Sequence, residues 1–167
     1  FHTISITIII LFFAFAEGDL YDYVINTINF TNTSSIGHVI EWLNGLEAMA
    51  EKPLGLGLGE SGRVANASGD NIGGENQLII IGVQAGVIAM FTYLTIYIAL
   101  LVLAVKQLKF AKGQFYTLAL ITVLLKVGLF IPMFTANIDA YIYVSFLSWF
   151  LSGLMVNFYQ SKIEDLA

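Results

Sequence analysis

The sequence predicts an all-α, polytopic helical membrane protein, with about four transmembrane helices and one large extracytoplasmic loop that contains an amphipathic helix. Three observations predict it. Hydrophobic residues make up 57% of the 167 residues and charged residues only 11%, where a soluble domain carries about a quarter. The mean hydropathy is +0.80. The apolar residues are gathered into long runs, and the acids into one segment between two of them. With no cysteine, disulfides and thiolate metal sites are excluded.

Residues 4–16 are apolar apart from Ser5 and Thr7, but fall short of the roughly 20 residues a span needs. The chain starts at Phe1, without Met and without a basic stretch before the apolar run. Ala14-Phe15-Ala16 only loosely resembles a signal-peptidase site. Residues 1–16 are therefore expected to be the end of a transmembrane helix, in the C-terminal part of a longer protein.

Residues 17–77 form the expected extracytoplasmic loop. Its acids are Glu17, Asp19, Asp22, Glu41, Glu47, Glu51, Glu60, Asp70 and Glu75, against Lys52 and Arg63. Ile36, Val39, Ile40, Leu43, Leu46 and Ala50 recur at roughly a 3.6-residue period, with Trp42 and Met49 flanking that face. Ser34 or Ser35 can cap the start, and Pro53 lies just past the end. This predicts an amphipathic helix over about residues 35–51, lying on the membrane surface or against the bundle. A glycine-rich turn follows over 53–63.

Residues 78–105 would reach about 42 Å as one helix, more than the ~30 Å hydrocarbon core. That run must tilt, or its first turns must stand above the membrane. Further spans are expected over about 115–131, interrupted by Pro132, and 140–158, with Tyr141, Tyr143, Trp149 and Tyr159 as interfacial anchors. A short tail closes the chain. Lys106, Lys109 and Lys112 share one short loop without an acid, which places that loop in the cytoplasm. Residues 17–77 are then outside, in the periplasm of a two-membrane cell.

Candidate chemistry gathers in the polar loop. Gly57-Leu58-Gly59-Glu60-Ser61-Gly62 matches G-x-G-x-x-G. A dinucleotide site is rejected, because that fingerprint needs a strand before it and a helix after it. Successive glycines such as Gly57 and Gly59 can instead aim backbone N–H groups at one anion; the plain alternative is a flexible turn without a ligand. Arg63 is the only arginine, and its planar fork suits phosphate oxygens. Glu75 could act as a general base if partly buried. Asn76 and Gln77 could orient a sugar, or simply start the next helix. His38 has no second histidine nearby, so no metal site is expected. Lys126 falls near mid-membrane, where a charge normally faces the bundle interior or a water-filled cavity. It is expected to line a substrate pathway or to pair with Asp139 or Glu75.

The order of these features resembles the O-antigen ligase and O-antigen polymerase superfamily. The features are the amphipathic helix, Pro53-Leu54-Gly55-Leu56-Gly57-Leu58-Gly59, a variable stretch, and Asn76, Leu78 and Gly86 opening the next span. The likeness is strongest over residues 34–101. It implies a GT-C-like glycosyltransferase of the bacterial inner membrane, with partners that are the lipid bilayer, an undecaprenyl-pyrophosphate-linked glycan, and an acceptor glycan or lipid A-core. It implies no metal or nucleotide cofactor and no nucleic-acid partner. By this resemblance Arg63 holds the pyrophosphate. Glu75 stands where ligases typically carry a histidine, and would take the acceptor proton. That departure leaves a polymerase or divergent transferase open beside a ligase. A transporter or flippase segment, depending on Lys126, and a non-catalytic membrane scaffold are the alternatives.

Overall fold

The structure is a computed structural model that describes residues 7, 18–29, 31–62, 65 and 72–164. The expected first span therefore lies outside the described residues. Every regular element among the described residues is helical. The chain divides into two compact units, Phe1–Ile40 and Glu41–Ala167.

In the first unit, α1 (Gly18–Ile28) leads to the start of α2 (Thr33–Glu51). The corner between them is built from short polar side chains. Thr31 Oγ1 donates to Asn26 Oδ1 at 3.0 Å, and Asn32 Nδ2 donates to Thr27 Oγ1 at 2.7 Å. Asn32 Oδ1 then accepts the Ser35 amide at 2.6 Å, which is the geometry of an N-cap. The cap is thus Asn32, not Ser34 or Ser35. Asn and Ser rank almost equally as caps, so the local string Asn32-Thr33-Ser34-Ser35 does not decide between them.

In the second unit, three helices are long and apolar enough to cross a membrane: α4 (Val87–Gln107), α5 (Gln114–Phe130, extended by the short α6, Pro132–Thr135) and α7 (Ile142–Glu164). The 21 residues of α4 reach about 31 Å at ~1.5 Å each, close to a hydrocarbon core. The expected 78–105 helix is in fact two. A short helix, α3 (Gln77–Ala85), ends at Gly86, whose backbone (φ 92°, ψ 166°) is not helical, and α4 starts at Val87. The first turns are covered by protein: Leu78, Ile79, Ile80 and Val83 are buried.

Two clusters hold this unit together. Met49, Ile79 and Val83 pack with Trp42 and Ala48. Leu78, Tyr97, Met133 and Ile138 pack with Met90, Tyr93, Leu94 and Leu129. The first cluster shows that the flanking Trp42 and Met49 of α2, rather than the apolar stripe, pack on the bundle, which leaves Leu43 and Leu46 open to a membrane surface. The inward side of the helix carries Trp42, Gly45, Ala48 and Met49, whereas Leu43 and Leu46 of the apolar stripe are exposed. Gly45 explains the choice. Any side chain there would meet Ile79 and lie 2.7 Å from the Gly73 backbone, so the helix can come this close only where Gly45 leaves a gap between Trp42 and Met49.

Candidate functional site

The glycine turn folds back against the break between α3 and α4. Its amides are already engaged: Gly55 N–H donates to Lys52 O at 2.8 Å, Leu56 N–H to Val83 O at 2.7 Å, and Gly57 N–H to Gln84 O at 3.1 Å. The anion nest expected around Gly57 is therefore not free there. Gly59 is half-buried with φ 96°. Further along, Ser61 is buried; its hydroxyl donates to Ile72 O, and its carbonyl accepts Gln84 Nε2 at 2.7 Å. Gln84, a lone amide in an apolar run, is the side chain that pins the loop, and its isolation there is the signal that could have marked it.

A cavity of about 280 Å³ opens beside this loop, lined by Gly62, Gly74, Glu75, Ala136, Asn137, Ala140 and Tyr141. It lies at the end of the bundle opposite Lys106, Lys109 and Lys112, because α4 runs from this end to that loop. Here the end of the glycine segment and Glu75 share one opening. Gly62 has φ 76°, and a side chain there would press on Asn137 Nδ2 at 2.8 Å. Glu75 is exposed, so the partial burial that would favour a general base is absent. Arg63, which follows Gly62 in sequence, lies outside the described residues. Asn137 and Tyr141 come to the cavity from the α6–α7 connection, about 60 residues away in sequence, beyond the reach of any local pattern.

Asn76 and Gln77 are buried and committed to the fold. Asn76 Oδ1 accepts the amides of Leu78 at 3.0 Å and Ile79 at 3.2 Å, capping α3. Gln77 Oε1 accepts the Asp139 amide at 3.0 Å, tying the cavity rim to α3. Asn76→Ala should cost about 1–2 kcal/mol, the upper half of the usual range for a lost cap, because the freed amides are buried. Thermal unfolding of the purified protein in detergent checks this, with Asn76→Asp expected to retain most of the lost stability.

Lys126 is fully buried, at 0% exposure. Its Nζ sits 4.4 Å from the Tyr97 ring centroid and 4.0 Å from that of Trp149, and has no hydrogen-bond partner among the described residues. Tyr97 in turn donates its hydroxyl to Lys126 O at 2.5 Å. Among the described residues neither expected carboxylate forms an ion pair with Lys126, although Asp139 lines the same small cavity as Tyr97 and Trp149. Asp139 also accepts the Ser145 hydroxyl at 3.0 Å and lines that cavity together with Tyr93. Trp149 is part of this cage and contacts Tyr93 edge-on at 5.6 Å, so it is not the interfacial anchor expected from its position. Lys126 does not line the outer cavity.

Compared with known proteins, the chain matches no family model, no curated protein and no solved structure.

Proposed function

We propose that this membrane protein is a glycosyltransferase of the O-antigen ligase or polymerase type. It would take a glycan from undecaprenyl pyrophosphate on the periplasmic face of the bacterial inner membrane. The observation that carries the reading is the cavity shared by Gly62 and Glu75 at the end of the bundle away from the lysine loop. It supports a site that meets a lipid-linked substrate at the membrane boundary, with the Glu75 carboxylate at its opening.

In the proposed reaction an acceptor hydroxyl attacks the anomeric carbon as the bond to the pyrophosphate oxygen breaks. The configuration inverts. Glu75 takes the hydroxyl proton, and Arg63 meets the charge that develops on the leaving pyrophosphate. An exposed carboxylate needs the bound substrate to exclude water around it, and the cavity walls at Asn137 and Tyr141 would contribute to that.

Glu75→Gln is expected to lower glycan transfer by about 10²–10⁴-fold, the usual worth of a general base, and Arg63→Ala to do so comparably. Polymer profiles on a gel, from native membranes with matched expression of each variant, measure this. Unchanged profiles for both variants would sink the assignment.

The buried Lys126, without a hydrogen-bond partner among the described residues, favours a second reading, a transporter whose pathway depends on that ammonium. Loss of function in Lys126→Met with full function in Glu75→Gln would select it.

A further inference from the structure

We infer that the 53–58 turn is a membrane-inserting tip, which buries Leu54 and Leu58 at the headgroup–acyl boundary of the bilayer beside the first turn of α4. The inference does not depend on the proposed reaction.

The path of the chain sets the tip's position. Along the end of α2, Gly45 faces Ile79, Met49 faces Gly82, and the Pro53 and Leu54 backbone faces Gly86. The chain therefore advances beside α3 toward the span. It then turns back: Leu56 bonds Val83, Gln84 bonds the Ser61 carbonyl, and Gly62 lies against Ile80. The turn is thus the part of the loop nearest the span, and Val87, the first residue of α4, donates its amide to Pro53 O at 2.9 Å.

The side chains at the tip point away from protein. Leu54 is 82% exposed and Leu58 88%. The lipid-compatible face of α4 begins at the same level, with Ile88 at 73% exposure and Phe91 at 57%. The Val87–Pro53 bond and the packing of the Leu54 backbone on Gly86 set the turn beside this face, and that nearness to a lipid-compatible span selects lipid as the occupant. Glu51, Lys52 and Glu60 are exposed and bracket the leucines in sequence, forming a charged collar that limits insertion to the interface, where Lys52 can reach headgroup phosphates. The tip is also held in place. A side chain on Gly55 would lie 2.5 Å from Gln84 O, so backbone packs on backbone, and little ordering is left to oppose insertion.

The chain has no cysteine, so single spin labels can be placed without other changes. Leu54→Cys and Leu58→Cys, labelled in lipid nanodiscs, are compared with Ile88→Cys as the lipid reference and Glu60→Cys as the water reference. Both tip labels should collide with oxygen in preference to a water-soluble nickel reagent, with a ratio severalfold above that at 60 and of the same sense as at 88. A water-like ratio at 54 and 58 would overturn the inference. So would labels shielded from both reagents, which a protein partner over the tip would produce, or dipolar broadening between labels, which a second copy would produce. Both positions are exposed, so labelling leaves the thermal unfolding of the protein unchanged, and that is checked on the same samples.

Discussion

Gly86→Ala is expected to be among the most damaging single substitutions in the protein, costing about 3 kcal/mol or more. Two terms add. The backbone at φ 92°, ψ 166° lies in a region essentially reserved for glycine, and holding another residue there costs about 1–3 kcal/mol. The new Cβ would also stand 2.6 Å from Pro53 O, 2.8 Å from Leu54 C and 2.9 Å from Leu54 Cα. These are backbone atoms, which cannot rotate aside, and overpacking of this kind costs about 1–3 kcal/mol. Relief requires the turn to move off the helix break, which breaks the Val87–Pro53 hydrogen bond. Thermal unfolding in detergent should show a large drop in the midpoint. Gly128→Ala is the control: it is helical with nothing within 4 Å of the new Cβ, and alanine is the better helix former. Equal midpoints for Gly86→Ala and wild type would mean that the turn does not pack on the break as described.

The same glycine shows why part of the fold was hard to read from sequence. The apolar runs over 78–105, 115–131 and 140–158 predict helices where the structure has them, because burial in lipid demands both length and continuous apolarity. The break at Gly86 leaves no mark on that pattern, since Ile and Val continue on both sides. What sets it is a backbone approach from Pro53, a partner 33 residues earlier. Which side of α2 meets the bundle was hard to read for a related reason. A hydrophobic period marks Ile36 to Leu46 as the apolar face, for the membrane surface or the bundle, but Gly45 contributes nothing to such a score while permitting the close approach to Ile79 and Gly73.

At the candidate site, Glu75 and the end of the glycine segment do meet at one cavity, and the polar character of the loop pointed there. The Leu56 and Gly57 amides did not remain available, because Val83 and Gln84 offer carbonyls that only the folded chain brings near. Asn76 and Gln77 read equally well as ligands or as helix-start residues, and their bonds to Leu78, Ile79 and Asp139 assign them to the fold. The inward direction of Lys126 was legible, since a mid-membrane charge has few other options. Its aromatic cage was not, because Tyr97 and Trp149 come from two other spans.

That cage leads to the second large effect. Asp139→Ala is expected to cost about 1–3 kcal/mol, since Asp139 lines the same small cavity as Tyr97 and Trp149 of the cage and its removal takes a carboxylate away from the buried ammonium. The hydroxyl of Ser145 loses its acceptor as well. Lys126→Met should cost far less, or stabilise. It forfeits two cation–π contacts worth about 2 kcal/mol when desolvated, but it also removes an ammonium that is fully buried and without a hydrogen-bond partner among the described residues, whose desolvation penalty is several kcal/mol. Methionine also fills the same unbranched space between Tyr97 and Trp149. The decisive measurement is the double variant. With Lys126 already replaced, Asp139→Ala no longer strands a charge, so its additional cost should fall well below its cost in wild type. Chemical unfolding of the four proteins of this cycle in one detergent measures the coupling. Additivity within about 0.5 kcal/mol would show that the two charges do not sense each other. A coupled pair, together with transfer activity retained in Lys126→Met, would make Lys126 a clamp that holds the Asp139 rim of the outer cavity against the bundle. Transfer lost in Lys126→Met despite an undiminished unfolding midpoint would instead give the ammonium a role in the substrate's path.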